Sequence, residues 1–165
     1  MPESSLPKIL IRTPNWLGDL VMSTGFIRAV LEKYPESEVD LIVKSGFVSL
    51  PLPHRGKIIP FDPENKSPGK FGKTLRAENY SHFYVLPPSF SSAWMAFQSK
   101  IPQRIGYSGE FRSLLLSHAK KHEGTSRSIH ILQEYLNLMD PDITLEKYPP
   151  HLETTEAWVE KHLNT

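Results

Sequence analysis

The stretch Lys8-Ile-Leu-Ile-Arg-Thr-Pro-Asn-Trp-Leu-Gly-Asp-Leu-Val-Met-Ser-Thr24 decides how this chain is read. Ile9 to Ile11 is a continuous apolar run, the mark of a parallel strand buried on both faces. Pro14, Asn15 and Gly18 supply turn chemistry, and a helix begins at or near Asp19. A first strand–turn–helix unit puts its turn at the carboxyl edge of a parallel sheet, where open α/β sheets hold their ligands. The turn lacks Gly-x-Gly-x-x-Gly, so it is not built to press backbone against a pyrophosphate. It carries an acid, Asp19, which suits chemistry on a hydroxyl.

Outward from this unit, strand and helix patterns alternate. The first helix has Leu20, Val21, Thr24, Ile27, Leu31 and Tyr34 on one face and stops at Pro35. Val39 to Val43 reads as a second strand with Asp40 as its only charge, and Lys57 to Phe61 as a third. Gly46 to Leu52, broken by Pro51 and Pro53, reads as an irregular turn. Asp62 to Gly72 is rich in Pro, Gly, Asn and Lys and is expected to be a mobile loop, followed by a short helix over Lys73 to Asn79. His82 to Leu86 is a fourth strand. Ser89 to Ile101 is a helix with Ala93, Trp94, Phe97 and Ile101 inward. Arg104 to Tyr107 is a short fifth strand, and Arg127 to Met139 a helix. Pro141 to Pro150 reads as an exit linker, and Thr154 to Leu163 as a polar helix with Trp158 and Leu163 as its main apolar contacts. Such alternation predicts a Rossmann-like, doubly wound α/β fold. Its parallel strands are expected in the order 3-2-1-4-5.

The totals bound the function. A chain of 165 residues buries enough surface to fold as one domain. Nineteen Lys and Arg against eighteen Asp and Glu leave a net charge of +1, which argues against a nucleic-acid partner. The absence of cysteine excludes disulfides, thiol catalysis and thiolate-bound zinc. No apolar run approaches the ~20 residues of a transmembrane segment, and Met1-Pro-Glu-Ser-Ser has no signal-peptide pattern. The expectation is a cytoplasmic domain.

Four stretches, in order, resemble one family. These are Lys8 to Thr24 with its Pro-Asn-Trp-Leu-Gly-Asp core, Pro87-Pro-Ser-Phe-Ser-Ser-Ala-Trp94, Ile101-Pro-Gln-Arg-Ile-Gly-Tyr to Leu116, and His130-Ile-Leu-Gln-Glu-Tyr135. Together they resemble the ADP-heptose:lipopolysaccharide heptosyltransferases of glycosyltransferase family nine, on the heptosyltransferase II branch. Where that family often has an asparagine, this chain has Pro88. The resemblance implies the N-terminal half of a two-domain GT-B glycosyltransferase. Residues 1–140 would form the acceptor-binding domain and 141–165 the linker and the start of an interdomain helix. The C-terminal nucleotide-sugar domain, which would bind the donor ADP-heptose, is the implied partner. The implied reaction is transfer of heptose to a lipopolysaccharide inner-core sugar with inversion, without metal or cofactor, with peripheral contact at the inner membrane. The rival reading is a non-catalytic module that binds a phosphorylated glycolipid or carbohydrate.

Each candidate residue has a functional and a plain reading. Read alone, Asp19 is more readily a first-turn helix acid; the resemblance implies instead the family's general base. Ser89, Ser91 and Ser92 could hold acceptor phosphates at a helix N-terminus, or simply cap it. Arg104, Tyr107 and Arg112 come next in the crevice order, and Arg forks suit phosphate and carboxylate. Arg104, Arg112 and the serine turn are expected to converge on one anion near Asp19. Arg12 ends the first strand and either reaches the crevice or pairs with an acid. Asn15 and Trp16 belong to the turn itself, Trp16 being the tryptophan to watch for stacking. His130 and Glu134 lie one turn apart, a spacing for a metal or an acid/base pair, but no third ligand is in view. His118 and His122, beside Lys120 and Lys121, read as a surface loop.

Overall fold

The computed structural model describes residues 5–109, 111–122 and 130–163. Among the described residues six parallel strands form one sheet: β1 Ile9–Arg12, β2 Val39–Lys44, β3 Ile58–Phe61, β4 His82–Val85, β5 Gln103–Tyr107 and β6 His118–Lys120. Their order is β3-β2-β1-β4-β5-β6. Among the described residues five α-helices accompany them: α1 Leu17–Lys33, α2 Pro68–Thr74, α3 Phe90–Ser99, α4 Ile131–Met139 and α5 Glu156–Leu163. The fold is the expected doubly wound α/β layer, with one more strand at its edge.

The two sheet faces carry separate cores. Ile9, Ile11, Leu41, Val43, Tyr84, Ile105 and Tyr107 face α1 and α4. Leu10, Ile42, Phe83 and Val85 face Ala93, Met95 and Ala96 of α3 and Phe71 of α2. Burial on both sides is why the central strands read as apolar runs rather than alternating ones. Pro60 lies in β3, an edge strand, where a missing N–H is tolerated.

Three expectations change. The segment Asp62 to Gly72 is not all loop: Ser67 caps α2 by accepting from the Lys70 N–H at 3.4 Å, and Pro68 opens the helix. Gly72 is there for contact, since a Cβ would meet the Met95 carbonyl oxygen of α3 at 2.3 Å. His118 to Lys120 is a strand, not a surface loop. It pairs with Ile105 to Tyr107, and the Ser108 N–H donates to the Lys120 carbonyl at 2.7 Å. Three polar or small residues at an edge give no apolar signal to read. The expected helix from Arg127 is seen from Ile131, capped by His130; Arg127 to Ile129 lie outside the described residues.

The segment read as an exit linker runs along α1. The Arg28 guanidinium donates to the Pro149 carbonyl at 2.9 Å, and the His151 N–H donates to Thr24 Oγ1 at 2.8 Å. Tyr148 is buried beside Gly25, where a Cβ would stand 2.2 Å from the Tyr148 carbonyl oxygen.

Candidate active site

The site begins where β1 runs out. Thr13 is buried and ties the strand end to β2, its N–H and Oγ1 both donating to the Ile42 carbonyl, at 3.1 and 2.8 Å. Pro14, Asn15 and Trp16 then turn the chain into α1. Asp19 is the third residue of that helix and is half-buried. Trp16 occupies the cap position with no side-chain bond to the helix. Among the described residues no hydrogen bond or ion pair engages the Asp19 carboxylate. An acid kept for helix capping would reach back to a free N–H; Asp19 makes no such bond.

Asp19 lines a cleft of about 560 Å³ with Asn15, Trp16, Pro87, Ser89, Tyr107, His122, Ile131, Glu134 and Tyr135 among its walls. The walls come from the carboxyl ends of β1, β4 and β5 and the first turn of α4. A volume of this order suits a sugar-sized ligand. Trp16 stands at the rim, 76% exposed. The Tyr107 hydroxyl donates to the Glu134 carbonyl at 2.6 Å, and its ring stacks on His122 with centroids 4.2 Å apart. The Glu134 carboxylate lies 3.8 Å from His122 Nδ1, close enough to pair when that histidine is charged. Burial, then the Asp19 and Glu134 carboxylates, push the Tyr135 phenol above its ordinary range. Two carboxylates and a protonated phenol therefore share this cleft. Among the described residues no three potential metal-ligating side chains come together.

The candidates fall into three groups. Asn15, Trp16, Asp19, Ser89 and Tyr107 meet in the cleft. Arg12, Asn15, Ser89, Ser91 and Ser92 border a second recess of about 10 Å³, room for roughly one water rather than a phosphate. Here the plain readings prevail. Ser89 Oγ accepts from the Ser92 N–H at 3.3 Å and caps α3, and Ser92 Oγ lies 2.9 Å from the Pro87 carbonyl that it donates to. Arg12 is 2% exposed, finds no acid among the described residues, and folds back to donate to the Thr13 carbonyl at 2.8 Å and to Asn15 Oδ1. Its guanidinium stacks over Phe61 at 5.2 Å, and burial lowers its pKa to about 10.

The expected convergence of arginines on one anion is not what the side chains do. Arg112 is buried, donating from Nε to the Tyr107 carbonyl at 3.0 Å and from Nη1 to the carbonyls of Pro87, at 2.9 Å, and Ser89. It clamps the β4–α3 turn to the end of β5, and burial lowers its pKa to about 10. Arg104 lies near the start of β5, the end away from the cleft. Its Nε donates to the Leu115 carbonyl at 2.9 Å and its Nη1 to the Ile101 carbonyl at 2.7 Å. His130 is exposed at the head of α4, where its Nδ1 accepts from the Leu132 N–H at 3.2 Å. The Glu134 carboxylate faces His122 across the cleft, not His130 one turn away. Tyr135 and His122 are the cleft residues that sequence reasoning did not select; Glu134 it had weighed only as a partner of His130.

Residues 69–164 match the model of glycosyltransferase family 9 (heptosyltransferase). The chain belongs to glycosyltransferase family 9. It is 34% identical over 120 residues to lipopolysaccharide heptosyltransferase 2 of Escherichia coli K12, a match covering 68% of this chain and 34% of that protein. The solved structure of E. coli ADP-heptose lipopolysaccharide heptosyltransferase II superposes with a TM-score of 0.75 at 30% identity, covering 91% of this chain and 47% of that one. A family 9 glycosyl transferase from Veillonella parvula superposes at 0.79 with 17% identity, a likeness of fold. The family 9 chain thus spans about a third to a half of the length of these relatives.

Proposed function

We propose that this chain is the acceptor-holding half of a family 9 glycosyltransferase and that Asp19 is its general base. The observation that carries the reading is the Asp19 carboxylate, uncapped and unpaired among the described residues, on the wall of a sugar-sized cleft. In the complete enzyme the donor would be ADP-heptose and the acceptor a lipopolysaccharide inner-core sugar. The acceptor hydroxyl attacks the anomeric carbon from the face opposite ADP. Asp19 takes the hydroxyl proton as the new carbon–oxygen bond forms. The bond to the ADP oxygen breaks, and ADP leaves with its electron pair, so the configuration inverts. The C-terminal nucleotide-sugar domain would hold ADP and supply the cation that eases its departure. Trp16 and the Tyr107 ring offer apolar walls for the sugar. Work of this kind places the protein in the cytoplasm, with its acceptor at the inner membrane.

Replacing Asp19 with Asn tests the reading. Asn serves a helix N-terminus well, so the melting temperature should hold while transfer by the two-domain enzyme falls by ~10²-fold or more, the usual worth of a placed base. Normal transfer by Asp19→Asn would remove the base and leave the cleft as a binding site for a phosphorylated glycolipid or carbohydrate.

A further inference from the structure

The net charge of +1 conceals a segregation. Between residues 65 and 109 stand Lys66, Lys70, Lys73, Arg76, Lys100 and Arg104, against Glu78 as the one acid. That acid is already held between Lys8 and Lys57, at 3.3 and 3.4 Å. The fold gathers much of this segment on one side, because α2 and α3 pack together over the same sheet face. Lys70 and Lys73 are exposed, one turn apart on α2, and α2 has no acid in its first turn. Arg76 follows, donating to the Gln98 carbonyl at 2.8 Å and so remaining beside α3.

Along α3 runs an aromatic stripe. Phe90, Trp94 and Phe97 are spaced four and three residues apart, so they share one helix face. Phe90 and Phe97 are 52% and 41% exposed, so Phe97, expected inward from its helical spacing, faces out. Their rings stack in series, Phe90 on Trp94 at 6.5 Å and Trp94 on Phe97 at 5.7 Å. Arg104 stands over Phe97 at 5.8 Å on one side, and Trp94 lies against Gly69 of α2 on the other. An outward aromatic row bordered by lysines and arginines, with no carboxylate on either helix, is the pattern that seats in an anionic bilayer surface: aromatic rings at headgroup depth, cations over the lipid charges.

We infer that the α2–α3 face docks this protein on an anionic lipid surface. The charge of the face selects that occupant over a neutral protein partner. The described C-terminal end does not reach it, since α5 touches the loop after β2, with Trp158 Nε1 donating to the Ser49 carbonyl at 2.8 Å, and Leu50 and Leu152 pack against the core of the opposite sheet face. Phe90 opens α3 directly after Ser89, a wall of the cleft, so docking would bring the cleft mouth to the bilayer. The inference stands on this surface alone and does not depend on the role of Asp19.

Co-sedimentation of the 165-residue chain with vesicles tests it. Vesicles of phosphatidylcholine with about one-third phosphatidylglycerol should carry the chain down, and about 0.5 M NaCl should release it, as screening demands. Pure phosphatidylcholine should not retain it. The double variant Lys70→Glu, Lys73→Glu should bind at least tenfold more weakly with an unchanged melting temperature. Phe90→Ser with Phe97→Ser should also weaken binding, and Lys147→Glu with Lys161→Glu, on another part of the surface, should leave it unchanged. Wild-type tryptophan emission should shift to the blue on binding, and the shift should vanish in Trp94→Phe. Equal binding to both vesicle types, equal losses from both lysine pairs, or no binding at all would overturn the inference. So would a dimer in solution that Phe90→Ser with Phe97→Ser dissolves while the chain ignores vesicles, which would assign the face to a second copy.

Discussion

At the scale of single residues, two side chains of the crevice region behave oppositely. Asp19 sits half-buried on the cleft wall without a hydrogen bond or ion pair among the described residues, whereas Arg112 gives its Nε and Nη1 to main-chain carbonyls. The expected consequence is a clean division of phenotype. Asp19→Asn should touch transfer and spare stability. Arg112→Met should lose the hydrogen bonds of a buried cation and destabilise the fold by about 2–4 kcal/mol, read as a lower urea midpoint at unchanged slope. Arg112→Met that melts like wild type yet loses acceptor would restore it as a ligand residue. A sequence shows that an arginine stands near the crevice. It does not show which carbonyls the turn leaves open, and at Arg12, Arg104 and Arg112 those carbonyls claimed the charge. Asp19 was legible because its place followed from topology: the turn after the first strand of a parallel sheet lies at the crevice whatever the side chains do.

At the scale of elements, apolar runs and helix caps carried the reading, and short polar elements escaped it. β1, β2 and β4 are buried on both faces and could be read without ambiguity. β6 is three residues at an edge, and its pairing rather than its composition makes it a strand. In α2 the two glycines looked like loop punctuation, though they are what lets the helix approach α3. One element carries a pH signature. His82 opens β4, half-buried, its ring 5.7 Å from Tyr34. Burial, then Lys33 and His118, hold its pKa below the ordinary 6.5. The folded chain therefore takes up this proton at lower pH than the unfolded chain. The His82 contribution is complete above about pH 6.5 and is lost as pH falls from there through the folded value, since the unfolded state binds the proton first. Urea midpoints of wild type and His82→Gln, followed from pH 7.5 downward, should converge or cross in favour of the variant as the solution acidifies. Parallel curves would contradict the assignment.

At the scale of the whole molecule, the chain folds back on itself more fully than a domain with a free tail. The 148–153 segment is fastened to α1 and to Pro51, with the Glu153 N–H donating to the Pro51 carbonyl at 2.8 Å. Gly25 allows this, so Gly25→Ala should cost about 2–3 kcal/mol and speed hydrogen exchange at the His151 and Glu153 amides. Unchanged protection there would show that the segment is held by other means. The docked segment was not legible, because its grip is made of backbone groups that no composition reveals. The half-enzyme reading, by contrast, makes one demand of the molecule as it stands: the cleft must take the acceptor and nothing in it should take the nucleotide. Amide chemical shifts of the 165-residue chain, titrated with a phosphorylated inner-core oligosaccharide and separately with ADP at millimolar concentration, measure both. The account predicts that the oligosaccharide shifts the amides around Asn15 to Asp19, Ser89 and Ile131 to Tyr135, and that ADP shifts none. Saturable ADP binding to this chain, or an oligosaccharide that leaves the cleft untouched, would contradict it.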